Sequence, residues 1–161
     1  MKIILILGSN MGDKVDVLKE ARDANSTRIG KIIRCSSLYC TEPWGFICDD
    51  DFINQALMIQ SQLSPEEALE EALRIENELG RVRNIKEGRY SSRVIDIDLL
   101  FCDQLIIDTP RLQIPHPRLT ERRFVLEPLK EIIPDFVHPI LHQTISECLE
   151  NCPDECKVTL L

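Results

Sequence analysis

Val94-Ile95-Asp96-Ile97-Asp98-Leu99-Leu100-Phe101 is an apolar run interrupted by two aspartates. A strand repeats every two residues, so Asp96 and Asp98 share one face while Ile95, Ile97 and Leu99 share the other. Upstream, Ser64-Pro65-Glu66-Glu67 reads as a capping box with proline at the first helical position, and Leu69, Ala72, Leu73, Ile75 and Leu79 then recur near helical spacing. Gly80 is expected to stop that helix. Before it, Lys31 to Cys40 and Phe52 to Leu63 carry strand-type content on either side of a polar loop. At the start, Lys2 to Leu7 reads as a buried strand, and Gly8 to Asp13 as a turn into a helix beginning near Lys14, with Asp13 as its N-cap. Leu105 to Ile107 is a candidate short partner for the Val94 to Phe101 strand, beyond the Asp103-Gln104 turn. The order βαββαβ predicts an α+β, ferredoxin-like core, an antiparallel sheet with helices on one face and the other face left for ligands or loops. A C-terminal extension follows, with a short helix expected around Arg122 to Lys130 and no clear assignment beyond Pro134.

A chain of 161 residues that is 43% apolar can close one core, so a single domain over 1–161 is expected. Its net charge of −8 and low aromatic content of 5% exclude the basic, aromatic-studded face of a nucleic-acid binder. Lys2 to Leu7 is too short to cross a bilayer, and no cleavage-type site follows it. A cytoplasmic monomer, with no membrane or nucleic-acid partner, is the expectation. Seven cysteines then read as reduced thiols. Cys148, Cys152 and Cys156 could be taken for a metal cluster, but Pro153 breaks the helix that would align them and the spacing is not a usual zinc pattern. The positive charge is uneven: Arg81, Arg83, Lys86, Arg89, Arg93, Arg111, Arg118, Arg122 and Arg123 crowd the middle of the chain, which suits a small polyanion such as ATP.

Two carboxylates held on one strand face repel, and a hard cation such as Mg²⁺ resolves that conflict, as would pairing with nearby arginines. Spacing leaves both readings open. Arg81, Arg83, Arg89 and Arg93 precede the pair and could neutralise a triphosphate, or form a solvated cluster. His116, between Pro115 and Pro117, reads first as a turn histidine and second as a phosphate ligand. Phe52, Phe124, Trp44 and Tyr90 would ordinarily be core residues, although a flat heterocycle is recognised by stacking plus amide hydrogen bonds, which Phe52-Ile53-Asn54 could supply.

These residues fall into ordered blocks: Gly8-Ser9-Asn10, Tyr39-x-Thr41-Glu42-Pro43-x-Gly45, Phe52-Ile53-Asn54 and Ile75-Glu76-x-x-x-Gly80-Arg81-x-Arg83. Arg93-x-x-Asp96-x-Asp98-Leu99, Pro115-His116-Pro117-Arg118 and Arg122-x-Phe124-x-Leu126-x-Pro128 complete them. The pattern resembles the 6-hydroxymethyl-7,8-dihydropterin pyrophosphokinases. That resemblance implies transfer of diphosphate from ATP to the hydroxymethyl group of a reduced pterin, in folate biosynthesis. It implies two Mg²⁺ ions on Asp96 and Asp98, with Arg81 and Arg93 joining them as catalytic residues. ATP would meet Glu76, Arg83, Arg89, Arg93, Arg111, His116 and Arg122. The pterin would meet Thr41, Glu42, Pro43, Trp44, Phe52, Asn54, Asp96 and Phe124. Leu73 and Tyr90-Ser91-Ser92 depart from the family pattern.

Overall fold

β1, Lys2–Ser9, is apolar without alternation because it is buried on both faces. The computed structural model describes residues 1–10, 12–41, 51–87 and 94–161, and of 81–87 only the backbone course. Ile3, Leu5 and Leu7 join a core with Val17, Leu18 and Ala21 of α1 (Lys14–Arg28) and Ala68, Ala72 and Ile75 of α2 (Pro65–Glu87). Ile4 and Ile6 face the opposite way, into a second core with Met58 and Leu100. Asp13 caps α1 by accepting from the Asp16 N–H at 3.4 Å. The Ser64–Glu67 box closes reciprocally, at 3.0 and 3.1 Å, at the head of α2.

The sheet runs β5-β1-β4-β3-β8, with β2 also paired to β4, where β2 is Gly30–Cys35, β3 Tyr39–Thr41, β4 Phe52–Ser61, β5 Asp96–Cys102 and β8 Val158–Leu160. Every ladder among the described residues is antiparallel. Gly30 is required by close approach, since a Cβ there would come within 2.2 Å of the Gln60 carbonyl oxygen.

Four local expectations are corrected. Gly80 does not stop α2: it does not take the left-handed conformation of a C-terminal cap, and mid-helix glycine costs only about 1 kcal/mol, which the helix-forming residues around it offset. Lys31 to Cys40 is two strands, broken where Ser36 turns its N–H and hydroxyl onto the Ala56 backbone at 2.9 Å each. The strand near residue 105 is β6, Ile107–Asp108, and it pairs with β7, Gln113–Ile114, instead of β5. The second face of the sheet is not left open. α3 (Arg123–Ile132) and α4 (Ile145–Glu150) cover it through Val125, Leu126, Leu129, Ile145 and Leu149. Among the described residues, a cavity remains at the end of that face where β1 finishes and β5 begins, lined by Ile6, Gly8, Asp96 and Asp98.

The tail is anchored by aromatic packing. Phe101, fully buried in β5, lies 4.6 Å from the Phe136 ring and 5.6 Å from that of His138. Phe101→Ala is expected to cost about 3–5 kcal/mol in urea denaturation through the cavity it leaves, detaching the C-terminal layer from the sheet.

Candidate active site

The acidic strand is positioned from two sides. The Ser9 hydroxyl donates to the Val94 carbonyl at 2.6 Å, fixing where the chain enters β5. β5 is the sheet edge, and its Ile97 N–H donates to the buried Glu76 carboxylate of α2 at 2.7 Å. Glu76, expected at the nucleotide, thus holds the backbone between Asp96 and Asp98. The two aspartates stand about 6.6 Å apart along the strand and both face the uncovered end of the sheet.

There they line a cavity of about 400 Å³. Its floor is one cross-strand row: Gly8 of β1 lies opposite Asn54 on one side and Asp96 on the other. A Cβ at Gly8 would sit 2.7 Å from Asn54 Oδ1, so glycine leaves the amide its place. Asn54 is 3% exposed and its Nδ2 has no hydrogen-bond partner among the described residues; Thr41 Oγ1, also buried, is in the same condition. Buried polar atoms are ordinarily paired, so two orphans in one cavity mark a place for a polar ligand edge. Phe52 and Phe124 supply aromatic walls, and the Arg122 guanidinium lies 5.8 Å from the centre of the Phe124 ring.

A second cavity of about 360 Å³ adjoins the strand, lined by Leu69, Leu99, Arg111, His116 and, again, Asp98. Arg111 is largely exposed and pairs with Glu70 at 3.5 Å. Burial pushes the His116 imidazole below its ordinary pKa, with the charge of Asp98 opposing and Arg122 and Arg118 reinforcing the shift. Its Nδ1 accepts the Arg118 N–H at 3.2 Å, which leaves the proton of the neutral ring on Nε2, a donor suited to an anionic oxygen.

The fold therefore gathers Thr41, Phe52, Asn54, Asp96, Asp98, Arg122 and Phe124 around one cavity, and Arg111 and His116 around its neighbour. Arg81 and Arg83 lie in the last turns of α2. Glu42, Pro43, Trp44, Arg89 and Arg93 lie outside the described residues. Sequence reasoning did not assign Gly8, Asp154 and Cys156, all of which line the first cavity. Gly8 stood in the Gly-Ser-Asn block, whereas the tail residues carried no signal.

The strand order β5-β1-β4-β2 with two helices on one face defines the fold class, a ferredoxin-like α+β domain, and Asp98 is shared by two adjoining cavities at its acidic strand. Residues 4–134 match the family model described as 7,8-dihydro-6-hydroxymethylpterin-pyrophosphokinase. The 2-amino-4-hydroxy-6-hydroxymethyldihydropteridine pyrophosphokinase of Porphyromonas gingivalis is 38% identical over 138 residues, 85% of this chain and 93% of that protein. Its counterpart in Methylorubrum extorquens is 43% identical over 144 residues, 89% and 88% of the two chains. Among solved structures, wild-type HPPK-DHPS of Plasmodium falciparum superposes with a TM-score of 0.78 over 93% of this chain at 18% identity, a likeness of fold. This chain spans 44% of that one's length. The chain belongs to the 7,8-dihydro-6-hydroxymethylpterin-pyrophosphokinase family. No helix among the described residues is long and apolar enough to cross a membrane.

Proposed function

We infer that the chain transfers diphosphate from ATP to the hydroxymethyl group of 6-hydroxymethyl-7,8-dihydropterin, yielding AMP and the pterin diphosphate in folate synthesis. The observation that carries the site assignment is Asp98, which lines both cavities. Two ligands seated in them would meet at the acidic strand. The pterin stacks between Phe52 and Phe124, with the orphaned Asn54 amide and Thr41 hydroxyl on its polar edge. ATP occupies the neighbouring cleft, where Arg111 and the His116 Nε2–H take phosphate oxygens and Arg122 faces the transferred group.

Asp96 and Asp98 fit Mg²⁺, which takes one or two carboxylates and completes its shell with phosphate and water oxygens. Mg²⁺ held there would neutralise charge on the phosphates. The hydroxymethyl oxygen bonds to the β-phosphorus, the bond from that phosphorus to the α,β-bridging oxygen breaks, AMP departs and the hydroxyl proton is released beside Asp96. Arg81 and Arg93 would close over the developing charge, Arg83 and Arg89 would add to the phosphate field, and Glu42, Pro43 and Trp44 would border the pterin. Glu76 serves this arrangement through Ile97.

The test is nucleotide analysis by chromatography with Mg-ATP and the reduced pterin. AMP and pterin diphosphate in equal amounts, both dependent on the pterin, are expected. ADP in place of AMP, or binding of both substrates without AMP, would overturn the reading.

A further inference from the structure

The wall of the ring slot is completed by a segment beyond the stretch that matches the family, which ends at residue 134. After α4 the chain runs back across the molecule. β8 pairs with β3, setting Val158 opposite Thr41 and Leu160 opposite Tyr39, and the Leu161 N–H donates to the Leu38 carbonyl at 2.9 Å. This pins the tail beside a residue that lines the slot.

Just before β8, Asp154 joins the tail to the start of α3. Arg122, the N-cap of α3, makes no side-chain capping bond. The first-turn N–H of Arg123, which has no partner within the helix, donates instead to Asp154 Oδ2 at 3.0 Å, while Arg123 Nε donates to the Asp154 carbonyl at 2.9 Å. The other carboxylate oxygen accepts the Cys156 N–H at 2.9 Å. One side chain, 31 residues away in sequence, thereby caps the helix that carries Phe124 and simultaneously sets the turn presenting Cys156 to the slot. Burial opposes ionisation of Asp154, and the hydrogen bonds from Cys156 and Arg123 outweigh it, holding its carboxyl below the ordinary value.

We propose that this C-terminal strap, residues 151–161, is a working wall of the ring slot, with Cys156 against the bound heterocycle and Asp154 as a positioning residue for Phe124 and Arg122. The identity of the heterocycle rests on the function inferred above. That the slot receives a ligand is supported independently by the orphaned Asn54 and Thr41 atoms in it. Cys156 is poised as a reporter, because its thiol is raised chiefly by its hydrogen bond to Asp154 and should alkylate slowly but measurably.

The experiment follows iodoacetamide modification at pH 8 by peptide mass mapping, with and without the reduced pterin. Exposed Cys35 reports on the reagent, and Cys102, whose thiol burial pushes up to about 12, should stay unmodified. The pterin is expected to slow Cys156 alkylation about tenfold or more and to leave Cys35 unchanged. Cys156→Trp should raise the pterin KM about tenfold or more at unchanged ATP KM, by filling the slot. Asp154→Ala should raise the pterin KM and lower kcat together, with Asp154→Asn recovering part of both, since an amide oxygen still accepts one N–H. Removing the carboxylate also removes the partner that favours the protonated thiol, so the pH midpoint for Cys156 alkylation should fall in both Asp154 variants. Equal alkylation of Cys156 with and without pterin, in protein that forms AMP, overturns the strap while leaving the reaction standing. Protection of Cys156 without AMP formation overturns the reaction and supports the strap.

Discussion

Asp98→Asn is expected to lower AMP formation about a thousandfold while leaving the ligand-free fold as stable as before, or slightly more so. The activity loss follows from removing a charged oxygen at the junction of the two cavities: a cation there stabilises the transferring phosphates by several kcal/mol, and about 4 kcal/mol is about a thousandfold in rate. The stability result follows from the strand. Asp96 and Asp98 project from one face two residues apart, and neutralising one relieves their repulsion. Thermal melts with and without Mg-ATP measure both sides, since a ligand protects the fold by an amount that grows with the logarithm of its affinity. The substituted protein should lose most of the protection. Had Asp98 a structural partner instead, its substitution would strand a buried charge and lower the melting temperature without ligand, with Mg-ATP protection intact.

Asn54→Leu is expected to behave in the same way in the neighbouring pocket, weakening the pterin about a hundredfold or more while ATP affinity changes little. A buried amide nitrogen without a partner is a standing cost to the folded protein of about 1–3 kcal/mol, and leucine removes it in nearly the same volume, beside the space that Gly8 leaves. The ligand-free protein should therefore hold or gain stability in urea. A site built to hydrogen-bond a ligand edge discriminates strongly when that bond is lost, because the ligand's polar groups are then buried unpaired. Calorimetric titration of each substrate reads the split. Equal weakening of both substrates, or a destabilised fold with pterin affinity retained, would assign Asn54 to the architecture and remove it from the site.

Both predictions concern residues whose local sequence announced them, and the reason is periodicity. Asp96 and Asp98 sit in an apolar strand at the two-residue repeat, so their common face is decided without knowledge of any neighbour. The same holds for α2, whose capping box is chemically self-contained, and for Asp13 ahead of α1. Antiparallel β-rich order followed from those elements, and the arginine, histidine and aromatic blocks followed from side-chain chemistry. Where a signal depended on balance, it failed. Gly80 is a weak helix breaker whose cost the surrounding turns outweigh, and the break at Ser36 arises from hydrogen bonds to Ala56, twenty residues away.

The sequence by itself determined the elements, the face on which the carboxylates stand and the chemical inventory of the site. Only the tertiary structure decided which atoms meet. Register across three strands places Gly8 between Asn54 and Asp96, and the packing of α2 beside β5 brings the Glu76 carboxylate to the Ile97 N–H. Packing of α3 and α4 covers the sheet face beside the cavity that Asp96 and Asp98 line, and the returning tail brings Asp154 to the head of α3. Periodicity is a property of neighbours a few residues apart, whereas these contacts join residues 21 to 88 positions apart, whose proximity exists only once the chain has closed around both cores.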